Sequence, residues 1–394
     1  MRSRLLDNAP LLRLAVFMIV GIVIANYVLL PIPMLPVLAG MVAIALLLRK
    51  HKNLQSFAIL MCFLVLGMFL MQRELSRSGE PQTITRIDRS KAFFMKQRDK
   101  LLERYSDNGI DGNAYAVLAA MTLGDKSALT RNIKDTYSVS GASHVLALSG
   151  LHLGIIYMLL SLFLPSRRWP ALSQLIIILA IWAFVFLVGM SVSVVRSAVM
   201  LTVYGLLSIG YRDKMSINVL SFTAIAMLMW NPAWLFDVGF QMSFMAVFAI
   251  LLFMPLFDDV FSAEYLMEHR WVKRLWGLVA VSFSAQLGVA PLIAFYFGRF
   301  STYFLLTNFI VVPAAMVILW LSIVVLVFPS LAYLLLYIVQ FVNAALLRIT
   351  VIPGASIDGL HPSVIQVVLI YVLIFCIYLL IERIKPIMGW RTSR

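Results

Sequence analysis

Between Gly141 and Gly154 the chain reads GASHVLALSGLHLG, two imidazoles and a Ser-Gly pair inside a stretch apolar enough to cross a bilayer. Ionisable side chains are costly at membrane depth, so their presence there points to function. His144, Leu148 and His152 stand at i, i+4 and i+8. On a continuous helix they drift about 40° per step, so the two rings share a broad face, with Ser149 near the same side. Such a pattern can hydrogen-bond to neighbouring helices, line a water-filled path, or give two ligands to a metal. A metal site needs more ligands and none is close in sequence, so no metal and no cofactor is expected. The Ser149-Gly150 pair suggests a kink or break, tolerated at that depth where the backbone lines a cavity or is buried in protein.

Three further groups share this polar character. Arg196 sits well inside an apolar run, with Ser193 and Ser197 on its side at i−3 and i+1. An arginine there must snorkel, pair or face water, and its position is too deep for simple snorkelling. Asp237 and Gln241 are four apart and share a helical face. Asp237 is the candidate ion-pair partner of Arg196. Gln286 and Asn308 are intramembrane amides, and Pro291 and Pro313 beside them should kink or end helices. Gly298-Arg299-Phe300 reads as a turn near the outer face, with Arg299 an interfacial anchor beside Tyr296 and Tyr303.

The elements that must hold these residues are membrane helices. The chain is 62% hydrophobic and 13% charged, with a mean hydropathy of +0.94, whereas a soluble domain is nearer half apolar and a quarter charged. The fold class expected is an all-α, polytopic helical bundle of ten to twelve crossings with broken or kinked helices. Runs of spanning length fall at 11–30, 33–48, 54–72, 142–164, 171–189, 191–210, 215–231, 235–256, 275–298, 303–328, 331–352 and 363–381. Basic residues occupy alternate connections: Arg2, Arg4 and Arg13; Arg49, Lys50 and Lys52; Arg167 and Arg168; Arg212 and Lys214; Lys273 and Arg274; Arg383 and Lys385. By the positive-inside rule both termini are then cytoplasmic and the long segment 73–140 is outside. The organisation expected is N-terminal spans over 1–72, an extracytoplasmic segment over 73–140, a channel-type helical domain over 141–385 and a basic tail over 386–394. Cys62 and Cys376 lie inside apolar runs and form neither a disulfide framework nor a zinc spacing.

In the outer segment, Ile87, Phe94, Leu101 and Tyr105 line one helical face, with Arg86, Arg89, Lys91, Lys96, Arg98, Lys100 and Arg104 around them. This reads as an amphipathic helix on the membrane surface. Its cations either serve solubility and anionic headgroups or form a basic entrance that gathers a polyanion. The net charge of +14 fits both.

Taken together, Gly124-Asp125, SHVLALSGLHLG (143–154), SVSVVRSAVM (191–200), Pro232, DVGFQMSFMAV (237–247), Gln286, Pro291, Asn308 and Pro313 resemble the ComEC family, inner-membrane channels for DNA uptake in bacterial natural competence. The resemblance covers roughly residues 90–330. It implies a multi-pass protein of the bacterial cytoplasmic membrane that passes one DNA strand, with His144, Ser149, His152, Arg196, Asp237, Gln241, Gln286 and Asn308 in or around the channel. It also implies partners: single-stranded DNA, the lipid bilayer, a DNA receptor, a separate nuclease and a cytoplasmic ATPase. Family members commonly add an outer OB-fold and a C-terminal metallo-β-lactamase-like domain. The stretch 73–88 is too short for the first, and no HxHxDH cluster marks the second, so the channel domain alone is expected here.

From the residues themselves two other functions stay open. Broken helices with intramembrane charge also suit a secondary transporter for a small polar or anionic solute. A membrane-embedded hydrolase would use His152 with Ser149 or Asp125. No ATP-binding motif is present, so motive force would come from a partner or a gradient, and the resemblance favours a non-enzymatic channel over both other functions.

Overall fold

The computed structural model describes residues 9–28, 32–77, 86–164, 169–209 and 217–384, and the side chains of 86–90, 207–209 and 263 fall outside that description as well. Arg2, Arg4, Arg167, Arg168, Arg212, Lys214, Lys385 and the segment 386–394 are therefore outside it, as are the side chains of Arg86, Ile87 and Arg89. The protein is an all-α polytopic membrane bundle. Eight of its described helices are long and apolar enough to span a bilayer, and four shorter apolar helices accompany them. The described chain forms two compact units, Met1–Ile84 with Gly210–Phe244, and Thr85–Ile209 with Met245–Arg394.

The first unit contains α1 (Pro10–Tyr27), α2 (Met34–Leu47), α3 (Lys52–Arg77) and α11 (Ile217–Trp230). Lipid tails are as apolar as leucine, so these helices associate through close packing and buried hydrogen bonds. Gly21 of α1 lies against the backbone of Leu64 in α3, and Gly67 of α3 against the Met18 carbonyl of α1. A Cβ at either glycine would collide with the opposing backbone, which cannot rotate away. Gln72 clasps the α1–α2 turn by donating to the Ile32 carbonyl and accepting from the Met34 N–H, both at 3.1 Å. Asn218 of α11 accepts from the Leu11 N–H at 3.3 Å. Gly67→Leu should therefore separate α1 from α3, at a cost of about 3 kcal/mol or more. A fall in melting temperature and in membrane accumulation checks this, and a variant as stable as the parent would contradict the close crossing.

The second unit is built around α5 (Gly112–Leu123), a short helix buried from Ala114 to Leu123 apart from a half-buried Tyr115. A helix apolar all round belongs in a core. Buried residues of α4 (Arg86–Asp107), α6 (Arg131–Val139), α15 (Phe304–Val325) and α16 (Ala332–Val351) share one core with it. The α6 end is fixed by long-range bonds: Tyr137 donates to Asn343 at 2.8 Å, and Thr307 donates to the Ser140 carbonyl at 2.7 Å. The remaining helices are α7 (Ser143–Leu146), α8 (Gly150–Phe163), α9 (Pro170–Leu187), α10 (Val192–Ile209), α12 (Val238–Asp258), α13 (Ala263–Glu268), α14 (Arg270–Phe297) and α17 (Val364–Ile384). Pro291 interrupts the α14 ladder. Nearby, the Tyr371 hydroxyl of α17 donates to the Gly288 carbonyl at 2.7 Å.

The turn expected at Gly298 is the start of β1 (Arg299–Ser301), which pairs antiparallel with β2 (Ser356–Asp358). Arg299 faces Asp358 across the ladder, donates to its carboxylate from Nε, and stands 4.0 Å from Asp135. It ties three segments together. The pairing puts the α14–α15 and α16–α17 connections on one side, the side that charge bias assigns to the outside.

The break expected at Ser149-Gly150 is present and divides the span 142–164 into two helices, α7 and α8, separated by extended backbone at Ala147–Ser149. One expectation is corrected. The apolar face of α4 does not lie on lipid: Leu102 and Tyr105 are buried in the core, and Phe94 stacks on Phe186 of α9 at 5.6 Å. The Tyr105 hydroxyl donates to the Ser322 carbonyl of α15 at 3.3 Å, and burial pushes that phenol's pKa up. Protein helices offer this face a drier and better-packed surface than an interface would.

Candidate functional site: a broken membrane helix

A helix of 14 residues rises about 21 Å, while the hydrocarbon core is about 30 Å thick. The three extended residues Ala147–Ser149 add about 10 Å and complete the crossing. Irregular backbone at membrane depth survives only inside protein or beside a water-filled cavity.

The break is organised by its own residues. Ser149 is the N-cap of α8 and His152 its third residue, and together they form a capping box. The Ser149 N–H donates to His152 Nδ1 at 3.2 Å, and the Ser149 hydroxyl lies 3.0 Å from the same nitrogen. An Nδ1 that accepts carries no proton, so the ring is neutral with its proton on Nε2. The ring also faces the Val145 carbonyl of α7, while the buried Nε2 has no hydrogen bond of good geometry. His152 is fully buried and so joins the two sides of the break. In most capping boxes a Glu or Gln fills this third position. Here a neutral imidazole does so without adding a charge.

Around the break, accessibility and depth part company. His144 and Gly150 are exposed, although Ala142, Val145, Leu146, Leu148, His152 and Leu153 beside them are buried. His144 Nδ1 lies 3.1 Å from the Gly141 carbonyl, a contact in which the imidazole must donate. Gly150 sits against α10, where an added Cβ would lie 3.1 Å from the Ser197 hydroxyl. Arg196 is one residue before Ser197, is 1% exposed, and donates from Nη2 to Ser193 at 3.1 Å. His144, Ser149, Gly150, His152, Ser193, Arg196 and Ser197 are thereby placed on α7, the break, α8 and α10 of one unit. The i, i+4, i+8 face expected for His144, Leu148 and His152 does not form, because the helix is interrupted between them.

The other candidates are placed elsewhere. Asp237 caps α12 by accepting from the Phe240 N–H at 2.8 Å, and Gln241 donates to the Leu235 carbonyl at 3.0 Å; both belong to the first unit. Asn308 donates to Ser282 at 3.1 Å, between α15 and α14. Gln286 lines a separate apolar cavity between α14 and α17, with Phe283 and His361. On α4, Lys91, Lys96, Lys100 and Arg104 are exposed, whereas Arg98 is tied to Asp99 at 3.1 Å. Sequence reasoning read Gly150 as part of a break but not as a close approach to a residue 47 positions away. It also passed over the capping box, which the Ser-x-x-His spacing could have signalled.

In the Ser149–His152 pair the ring Nδ1 is shared with a backbone N–H, and Asp125 accepts from the backbone N–H and hydroxyl of Ser127 at 3.1 and 3.0 Å. No group of three metal-binding side chains occurs among the described residues.

Gly150 gives a direct test of the close approach. Gly150→Leu should wedge α8 off α10 and fill the accessible space, removing function at unchanged membrane level, while Gly150→Ala needs a shift of only a few tenths of an ångström. Activity normalised to immunoblotted membrane protein checks this, and full activity of the leucine variant would contradict it.

Comparison with known proteins adds the family. ComE operon protein 3 of Bacillus subtilis (strain 168) is 28% identical over 214 residues, which are 53% of this chain and 26% of that protein. An uncharacterized protein of Aquifex aeolicus (strain VF5) is 32% identical over 198 residues, 50% of this chain and 44% of that one. The aligned stretch thus spans less than half the length of either relative. No solved structure matches. The model of the Competence protein family matches residues 121–384, from the end of α5 through the break, α10 and every later helix to the end of α17. On that extent of match the chain belongs to the competence (ComEC) family of membrane proteins.

Proposed function

We propose that this chain is a membrane domain for DNA uptake in bacterial competence, and that a single DNA strand passes the Ala147–Ser149 break. The observation that carries the reading is exposed His144 and Gly150 at an interrupted apolar helix inside the family's matched region. A strand kept at duplex spacing carries one phosphate per 3.4 Å, so about nine occupy a core about 30 Å thick. Among the described residues Arg196 is the one buried cation. One guanidinium cannot neutralise nine phosphates, so the strand must keep most of its water, and a break that admits water meets that need.

In this reading Lys91, Lys96, Lys100 and Arg104, with Arg86 and Arg89, gather the polyanion on the outer side. Ser149, His152 and Arg196 shape the narrow part, with Gln286 and Asn308 elsewhere in the same unit. The membrane is the bacterial cytoplasmic membrane. A DNA receptor, a nuclease and a cytoplasmic ATPase complete the process. The same broken helix favours a second reading, a secondary transporter for a small anionic solute.

The test is uptake of labelled double-stranded DNA into a nuclease-protected, single-stranded pool, comparing parent, deletion and complemented strains. DNA uptake requires loss on deletion and recovery on complementation. Equal uptake by parent and deletion, in a strain shown to be competent, would overturn it in favour of the transporter.

A further inference from the structure

At the end of α14 opposite the β-strands, a pocket of about 650 Å³ is lined by Leu266 and Met267 of α13 and by Arg270, Lys273, Arg274 and Gly277 of α14. We infer that this pocket binds the headgroup of an anionic phospholipid. Three observations carry the assignment, and none depends on what the protein transports.

The first is depth. The 28 residues of α14 rise about 42 Å, which exceeds the hydrocarbon core of about 30 Å by about 12 Å, or eight residues. With Phe297 at one boundary, Arg270–Gly277 stands in the headgroup layer of the other leaflet. That leaflet is the one that Lys273 and Arg274 mark as cytoplasmic. The second is charge. Among the described residues no carboxylate forms an ion pair with Arg270, Lys273 or Arg274, so three cations converge on one pocket, with Glu264 and Glu268 of α13 outside ion-pair distance. The pocket also adjoins the first turn of α14, which has no side-chain cap, so its free N–H groups add a favourable field for an anion. The third is the apolar surface beside the cations. Met267, Trp271 and Leu275 are 68%, 75% and 53% exposed, and the Arg274 guanidinium lies 5.9 Å from the Trp271 ring. Exposed tryptophan and apolar side chains interleaved with cations suit a glycerophosphate with acyl chains, and they distinguish the site from a purely electrostatic strip for nucleic acid.

The test uses the full chain, purified, delipidated and titrated with equal amounts of phosphatidylglycerol and phosphatidylcholine, with bound lipid read by native mass spectrometry. Phosphatidylglycerol should be retained in preference. Each cation near a headgroup is worth about fivefold in association, so R270Q/K273Q/R274Q should lower that preference on the order of 100-fold. The comparator R49Q/K50Q/K52Q removes the same charge from another exposed basic stretch and should keep the preference; circular dichroism verifies that both variants fold. Equal retention of the two lipids by the parent, or equal losses in both variants, would overturn the site. Displacement of phosphatidylglycerol by a short single-stranded oligonucleotide from the parent would also overturn it, assigning the pocket to nucleic acid.

Discussion

His152→Ala should reduce DNA uptake by at least tenfold while the protein still reaches the membrane, and His152→Gln should restore most of it. The alanine variant leaves the Ser149 N–H without its acceptor at the break, a cost of about 1–3 kcal/mol, and removes the ring that faces Val145. Glutamine is the usual third residue of a capping box and can accept the same N–H without supplying an imidazole. The pattern across the two variants therefore separates positioning from acid–base work. Rescue by glutamine means that His152 holds the break open in one shape. Failure of glutamine, with the protein folded, would mean that the imidazole itself is needed and would contradict a purely positioning role.

Arg196→Met should have the largest effect on transport. The guanidinium is buried and held by Ser193 on the helix that packs against Gly150. A phosphate passing about 4 Å from it would gain about 4 kcal/mol at an effective dielectric of 20, which sets a ceiling of about three orders of magnitude on the rate. Methionine keeps the volume and removes the charge. Arg196→Lys keeps the charge without the planar fork and should fall between the two. Uptake rates normalised to membrane level check the series, and a methionine variant that transports as well as the parent would contradict a role for this charge.

Much of the fold could be read from the chain because membrane spans depend on local composition. All twelve apolar runs carry helices, although the run at 142–164 carries two. What was misread depended on partners distant in sequence. The spacing of His144 and His152 suits one helical face, but Ser149 stops the helix by capping a new one, and a 3.6-residue period has no meaning across extended backbone. The apolar stripe of α4 was visible, yet nothing local says that Phe94 will meet Phe186 or that Tyr105 will reach Ser322. Arg299 next to two tyrosines reads as an anchor, and nothing local says that Asp358, 59 residues later, is laid beside it by a two-strand ladder. At the site, the residue types announced polarity within the membrane. The geometry added the close approach at Gly150 and the capping box, which fix the shape of the break.

The central claim is that the strand passes the break, and the most direct measurement is a photocrosslink during uptake. A photoreactive amino acid would replace His144, which is accessible beside the break, and in a second strain Leu179, which is 60% exposed on the outer surface of α9. Labelled DNA would be supplied and the cells irradiated while uptake proceeds. The account predicts a crosslink from position 144 to single-stranded DNA and none from position 179. Crosslinking to lipid or protein alone at 144, in cells that are taking up DNA, would place the strand elsewhere and contradict it.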